Sequence, residues 1–65
     1  MHTKDQRIKL LKMENDPDPI PVGTLGTILA VTELPMWKET QLVVKWDNGR
    51  TLSVILPKDV VEIVS

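Results

Sequence analysis

Five short apolar segments, separated from one another by stretches containing glycine, proline or aspartate, predict an all-β domain built as a small five-stranded barrel. Two further observations support this. Gln41–Trp46 alternates strictly, with Leu42, Val44 and Trp46 on one face and Val43 and Lys45 on the other. Directly after it comes Asp47-Asn48-Gly49, the strongest hairpin signal in the chain.

The first strand is expected over Gln6–Met13, where Ile8 and Leu10 alternate with Arg7 and Lys9. Helical spacing also fits Ile8, Leu11 and Lys12, but the segment is short and ends at a dense breaker cluster, Asn15-Asp16-Pro17-Asp18-Pro19-Ile20-Pro21. Its alternate prolines fix φ and push each preceding residue to extended geometry, which predicts a stiff loop. Gly23 and Gly26 suit a tight turn followed by close approach of a neighbouring strand. A second strand is expected over Thr27–Thr32 and a loop over Glu33–Thr40, marked by Pro35 and its charged flanks.

Parity selects the turn after the third strand. A two-residue Asn-Gly loop sets Trp46 against Thr51 and Val44 against Ser53, opposing apolar residues to polar ones. A three-residue loop with Gly49 left-handed pairs Trp46 with Arg50, Val44 with Leu52 and Leu42 with Val54, so that the apolar residues share one face. The three-residue loop is therefore expected. Thr51–Leu56 forms the fourth strand, Pro57-Lys58-Asp59 a turn of 3₁₀ type, and Val60–Val64 the fifth strand. This organisation suits an SH3-like barrel. Residues 1–5 are expected to form a mobile tail, and 6–65 the single domain.

With 65 residues and 42% apolar composition, the chain can build one core and no second. A domain of this size buries only about 60% of the surface its unfolded chain exposes, so most of the Val, Ile and Leu must enter that core. The absence of cysteine excludes a disulfide scaffold, a thiolate metal site and a cysteine nucleophile. No apolar run approaches bilayer length, and the polar start, Met1 to Arg7, lacks a signal-peptide apolar region. A cytoplasmic location is expected, with no membrane partner. Net charge is −1, so the basic excess usual in nucleic-acid binders is missing overall. Four of the eight basic residues nevertheless crowd into the first twelve positions: Lys4, Arg7, Lys9 and Lys12.

Three stretches carry a family resemblance: Asn15-Asp16-Pro17, Val22-Gly23-Thr24-Leu25-Gly26-Thr27-Ile28 and Val44-Lys45-Trp46-Asp47-Asn48-Gly49-Arg50-Thr51-Leu52. Together they resemble the domain-of-unknown-function family numbered 4314, over about Arg7 to Asp59. The resemblance implies a small barrel and a phage, prophage or bacterial setting, and it transfers no catalytic residue. The Gly23–Val31 segment is also similar to the KOW-type start of small barrels in ribosomal and transcription factors. Glu33–Thr40 is longer than the family pattern.

Catalytic equipment is sparse. His2, the one histidine, lies at the polar N-terminus, whereas a general base needs a held geometry. Ser53 and Ser65 have no histidine in a structured segment, and no triad, phosphate loop or nucleotide fingerprint is present. No enzyme, cofactor or catalytic residue is therefore expected. Glu14, Asp16 and Asp18 offer closely spaced carboxylates, but they lack the EF-hand pattern, and a solvated turn with Asx–backbone bonds accounts for them. No metal site is assigned.

Two tryptophans admit contrasting roles. Trp46 opposite Arg50 reads as a cap on the core carrying a stacked guanidinium; the rival role is a platform for a nucleic-acid base. Trp37, after Pro35-Met36 and between polar flanks, can either fold back on the core or anchor an interface. If the first long loop, the Trp37 loop and the Pro57 turn cluster, they bring together Trp37, Met36, Ile20 and Pro57, rimmed by Glu14, Asp16 and Asp18. That face suits a protein partner, including a basic or proline-containing segment, or a second copy of the chain.

The leading expectation is a non-enzymatic interaction module of phage or prophage type, with Met36, Trp37, Asp16 and Asp18 as its contacts. One alternative is a nucleic-acid-binding KOW-like barrel using a basic edge strand (Arg7, Lys9, Lys12) with Lys45 and Arg50. Another is an oligomer holding a small molecule between subunits.

Overall fold

A computed structural model of the chain describes residues 2–13 and 16–64. It contains β1 (Arg7–Lys12), β2 (Leu25–Leu34), β3 (Glu39–Trp46), β4 (Thr51–Leu56) and β5 (Val60–Ile63). All pairings are antiparallel, in one five-stranded sheet ordered β4-β3-β2-β1-β5. The all-β, five-stranded barrel expectation holds.

The turn selected by parity is the one that forms. Gly49 has φ 90°, its N–H reaches Trp46 O at 3.0 Å, and Trp46 N–H reaches Arg50 O at 2.8 Å. Val44 then pairs with Leu52 and Leu42 with Val54. Asn48 Oδ1 accepts the Arg50 N–H at 3.0 Å, the local side-chain bond that suits Asn to a turn. This register puts Leu42, Val44, Trp46 and Val54 into one core with Ile8, Leu10, Met13, Ile20 and Ile28. Val31, Leu52, Leu56 and Val61 pack on its margin.

Two one-residue register shifts bend the sheet around that core. One falls at Leu11 in the β1–β5 pairing, the other at Leu29 in the β2–β3 pairing. Each extra residue breaks the inward–outward alternation, and both leucines are exposed. Gly26 supplies the close approach expected of it. A Cβ there would lie 2.7 Å from the Trp46 ring and 2.7 Å from Val44 Cγ1. Gly23, at φ 93°, makes the preceding turn, where Thr24 N–H and Oγ1–H both donate to Pro21 O.

Three expectations need correction. The Glu33–Thr40 loop is mostly hairpin: β2 continues to Leu34 and β3 starts at Glu39. Cross-strand pairs Thr32–Gln41, Glu33–Thr40 and Leu34–Glu39 extend the ladder, and Thr40 Oγ1–H donates to Glu33 Oε2 at 3.0 Å. Residues 35–38 alone make the turn, with Trp37 N–H on Leu34 O and Lys38 left-handed at φ 53°. Pro35 presets the first corner. Second, β1 lies between β2 and β5 and is not an edge strand. Third, residues 57–59 form a turn with no 3₁₀ helix, because Asp59 clamps both backbone groups of Ile55: its N–H donates to Ile55 O at 2.8 Å and its Oδ2 accepts Ile55 N–H at 2.9 Å. The Leu56–Pro57 peptide is cis.

At the N-terminal end, Thr3 N–H donates to Gln6 Oε1 and Asp5 N–H to Ile28 O at 2.7 Å.

The Gly26–Trp46 contact generates a prediction. Gly26→Ala forces the indole or Val44 to move in a packed core, which costs about 1–3 kcal/mol. Urea unfolding should show a lower midpoint at unchanged slope. Wild-type stability in that variant contradicts the contact.

Candidate functional site

The sheet places the expected contact residues in three separate settings. The first is the β2–β3 turn. Pro35 and the two backbone bonds of that turn hold its shape, and the side chains of Met36 and Trp37 project from it, 83% and 65% exposed. Trp37 therefore does not fold back on the core.

The second setting is a cleft of about 290 Å³ along the outer edge of β4. Its walls are made by Met13 and Asp16, by Ser53 and Ile55 of β4, and by Glu39, Lys58 and Asp59. Each wall has a local cause. Met13 is anchored in the core, and its sulfur accepts Ile20 N–H at 3.4 Å. Asp16 Oδ1 accepts Asp18 N–H at 2.9 Å, the Asx turn expected for this acidic stretch. Lys58 and Glu39 pair at 3.0 Å across the two turns, with the Glu39 side chain mostly buried. Three carboxylates against one ammonium leave the cleft with a formal charge of −2.

Asp18 belongs to a third setting. Arg50 donates to Asp18 O at 2.8 Å and approaches its carboxylate at 3.5 Å, tying the proline-rich loop to the β3–β4 hairpin. The expected stacking of Arg50 on Trp46 is thereby corrected. Trp46 is 1% exposed, so it offers no open face, and its Nε1–H donates to Leu52 O at 3.1 Å. It is a core residue and not a base-stacking platform. Ile20, expected at the docking face, is buried in the core instead. Glu14, expected on the rim, lies outside the described residues.

The residues of the nucleic-acid alternative are largely engaged with acids. Arg7 grips Asp47 with two bonds, of 2.8 and 2.6 Å, and also donates to Thr27 Oγ1. Lys9 lies 4.0 Å from Glu62, and Arg50 is held by Asp18. Lys12 and Lys45 are exposed on β1 and β3. These pairings lower the positive potential that phosphate binding requires.

Ser53, Ile55, Lys58 and Asp59 carry no motif that marks a cleft. The available signal was the strand segment Thr51–Leu56, which carries no lysine, arginine or carboxylate. Natural edge strands usually carry such charges, so their absence points to an edge that is used or sheltered.

The Arg7–Asp47 fork has a measurable consequence. Hydrogen bonds from Arg7, aided by its charge and opposed by partial desolvation, hold the Asp47 carboxyl below its ordinary range. A carboxyl depressed in the folded state stabilises the fold above its unfolded pKa, and that contribution is lost as pH falls through the lower folded value. Carbon-detected NMR titration should place the Asp47 midpoint below the ordinary value of about 3.9. Arg7→Gln should raise it; an unmoved midpoint contradicts the fork.

No curated protein and no solved structure matches the chain. Over residues 2–64 it matches the family described as Domain of unknown function (DUF4314). That span takes in all five strands, the Asp16 loop and the Trp37 turn, and the chain belongs to this family.

Proposed function

We propose that the domain is a non-enzymatic interaction module, of phage or prophage type and acting in the cytoplasm, that docks on a protein partner through Trp37, Met36 and the Asp16 side of the β4 cleft. The exposure of Trp37 carries this reading. An indole 65% open to water on a turn held by two backbone bonds forgoes burial that a domain of this size needs. Tryptophan also dominates binding hot spots. Two residues further on, Glu39 brings the same hairpin to the end of the cleft. Asp18, tied to Arg50, serves the loop's placement in this reading and does not contact the partner.

The nucleic-acid alternative has weaker support, since Arg7, Lys9 and Arg50 already face carboxylates.

Pull-down with the full chain tests the proposal. Trp37→Ala removes a side chain with no place in the core, so the fold should persist. Loss of a hot-spot tryptophan costs about 2 kcal/mol or more of binding, and recovery of the partner should fall at least roughly tenfold. Equal recovery by wild type and variant removes this face from the proposal.

A further inference from the structure

The two edges of the sheet differ. β5 is short, carries Glu62 and meets its neighbour through an irregular register, the features that discourage pairing with another chain. β4 has six residues, no charge and an unbroken register with β3. Trp46 N–H bonds to Arg50 O, so hydrogen-bonded pairs recur at Val44–Leu52, Leu42–Val54 and Thr40–Leu56. The alternate residues Thr51, Ser53 and Ile55 must then turn their N–H and C=O groups away from β3. Asp59 satisfies both groups of Ile55. Among the described residues, nothing bonds the outward backbone groups of Thr51 and Ser53.

We infer that this stretch of β4, open among the described residues, is a strand-addition site for an extended, basic segment of a protein partner. The inference deepens the interaction-module reading and rests on it. Antiparallel addition places two backbone bonds at Ser53 and two at Thr51. The Asp59 clamp ends the slot on one side, and the Gly49 turn ends it on the other, so the guest's register is bounded. Where the guest passes Ser53 it enters the cleft between Met13 and Ile55, beside Asp16 and Asp59. A lysine or arginine there meets the cleft's excess negative charge while its alkyl stem lies against Met13 and Ile55. An acidic guest is repelled by the same groups. A second copy's β4 is a poorer occupant, because its Thr51–Leu56 brings no cation to the cleft.

The probe is a blocked hexapeptide of alternating lysine and valine, compared with its glutamate–valine counterpart, added to the full ¹⁵N-labelled chain. The lysine peptide should shift the Thr51 and Ser53 amides saturably and slow their hydrogen exchange; the glutamate peptide should do neither. Ser53→Pro removes an N–H that the ladder with β3 does not use, a tolerated change on an edge strand, and should abolish the shifts. Asp16→Lys reverses the charge of one cleft wall and should weaken the lysine peptide roughly twofold to fivefold, the scale of a part-exposed ion pair. It carries the test alone if Ser53→Pro loses its native spectrum. Silent Thr51 and Ser53 amides, equal binding of both peptides, or protection of those amides by dimerisation without peptide would each overturn the inference. If β4 stays silent while Trp37→Ala still loses the partner, only the strand-addition site falls. If β4 binds and Trp37→Ala changes nothing, the Trp37 face falls instead.

Discussion

The left-handed Gly49 fixes where every side chain of the β3–β4 hairpin points, and the rest of the molecule follows from it. Side chains in a strand alternate with a period of two, so one residue more or less in the turn exchanges the inner and outer faces of β4. With three residues in the turn, Leu52 and Val54 meet Val44 and Leu42 inside. The same register decides which backbone groups β4 spends on β3 and which it presents outward. Core and edge are thus two consequences of one turn. Gly49 supplies the conformation without the steric penalty that a side chain would meet at φ 90°.

A sheet this small closes around its core only if it bends sharply. The extra residues Leu11 and Leu29 provide the bends, at the cost of turning two leucines toward solvent. Gly26 provides the space: between Ile8 and Trp46 in the sheet, it leaves the indole room to lie across the strand. From the other side, Met13 just past the end of β1 and Ile20 of the proline-rich loop enter the core, and Arg50 ties that loop down through Asp18. The loop is therefore a wall of the barrel, and its Asp16 becomes a wall of the cleft.

Much of this was legible from residue types alone. The strict alternation of Gln41–Trp46, the Asp-Asn-Gly turn and its parity gave the register, and the Gly23–Gly26 spacing gave the turn and the close approach. Failures arose where placement depends on the third dimension. Charged residues around Pro35 looked like loop, yet Glu33 and Thr40 extend the ladder by bonding to each other across it. Arg50 faces Trp46 in register, but its long side chain reaches Asp18, thirty-two residues earlier. A basic strand could be recognised locally; that β5 returns to cover β1 and supplies Glu62 to Lys9 could not. The cleft was hidden for the same reason, since its walls come from four separated segments.

Cross-strand Hα–Hα contacts in the β3–β4 hairpin test the central register most directly. They are short only at non-hydrogen-bonded pairs. With the three-residue turn, strong nuclear Overhauser effects join Lys45 to Thr51 and Val43 to Ser53. Strong effects joining Trp46 to Thr51 and Val44 to Ser53 would instead show the two-residue turn, and both the core and the open edge of β4 would have to be redrawn.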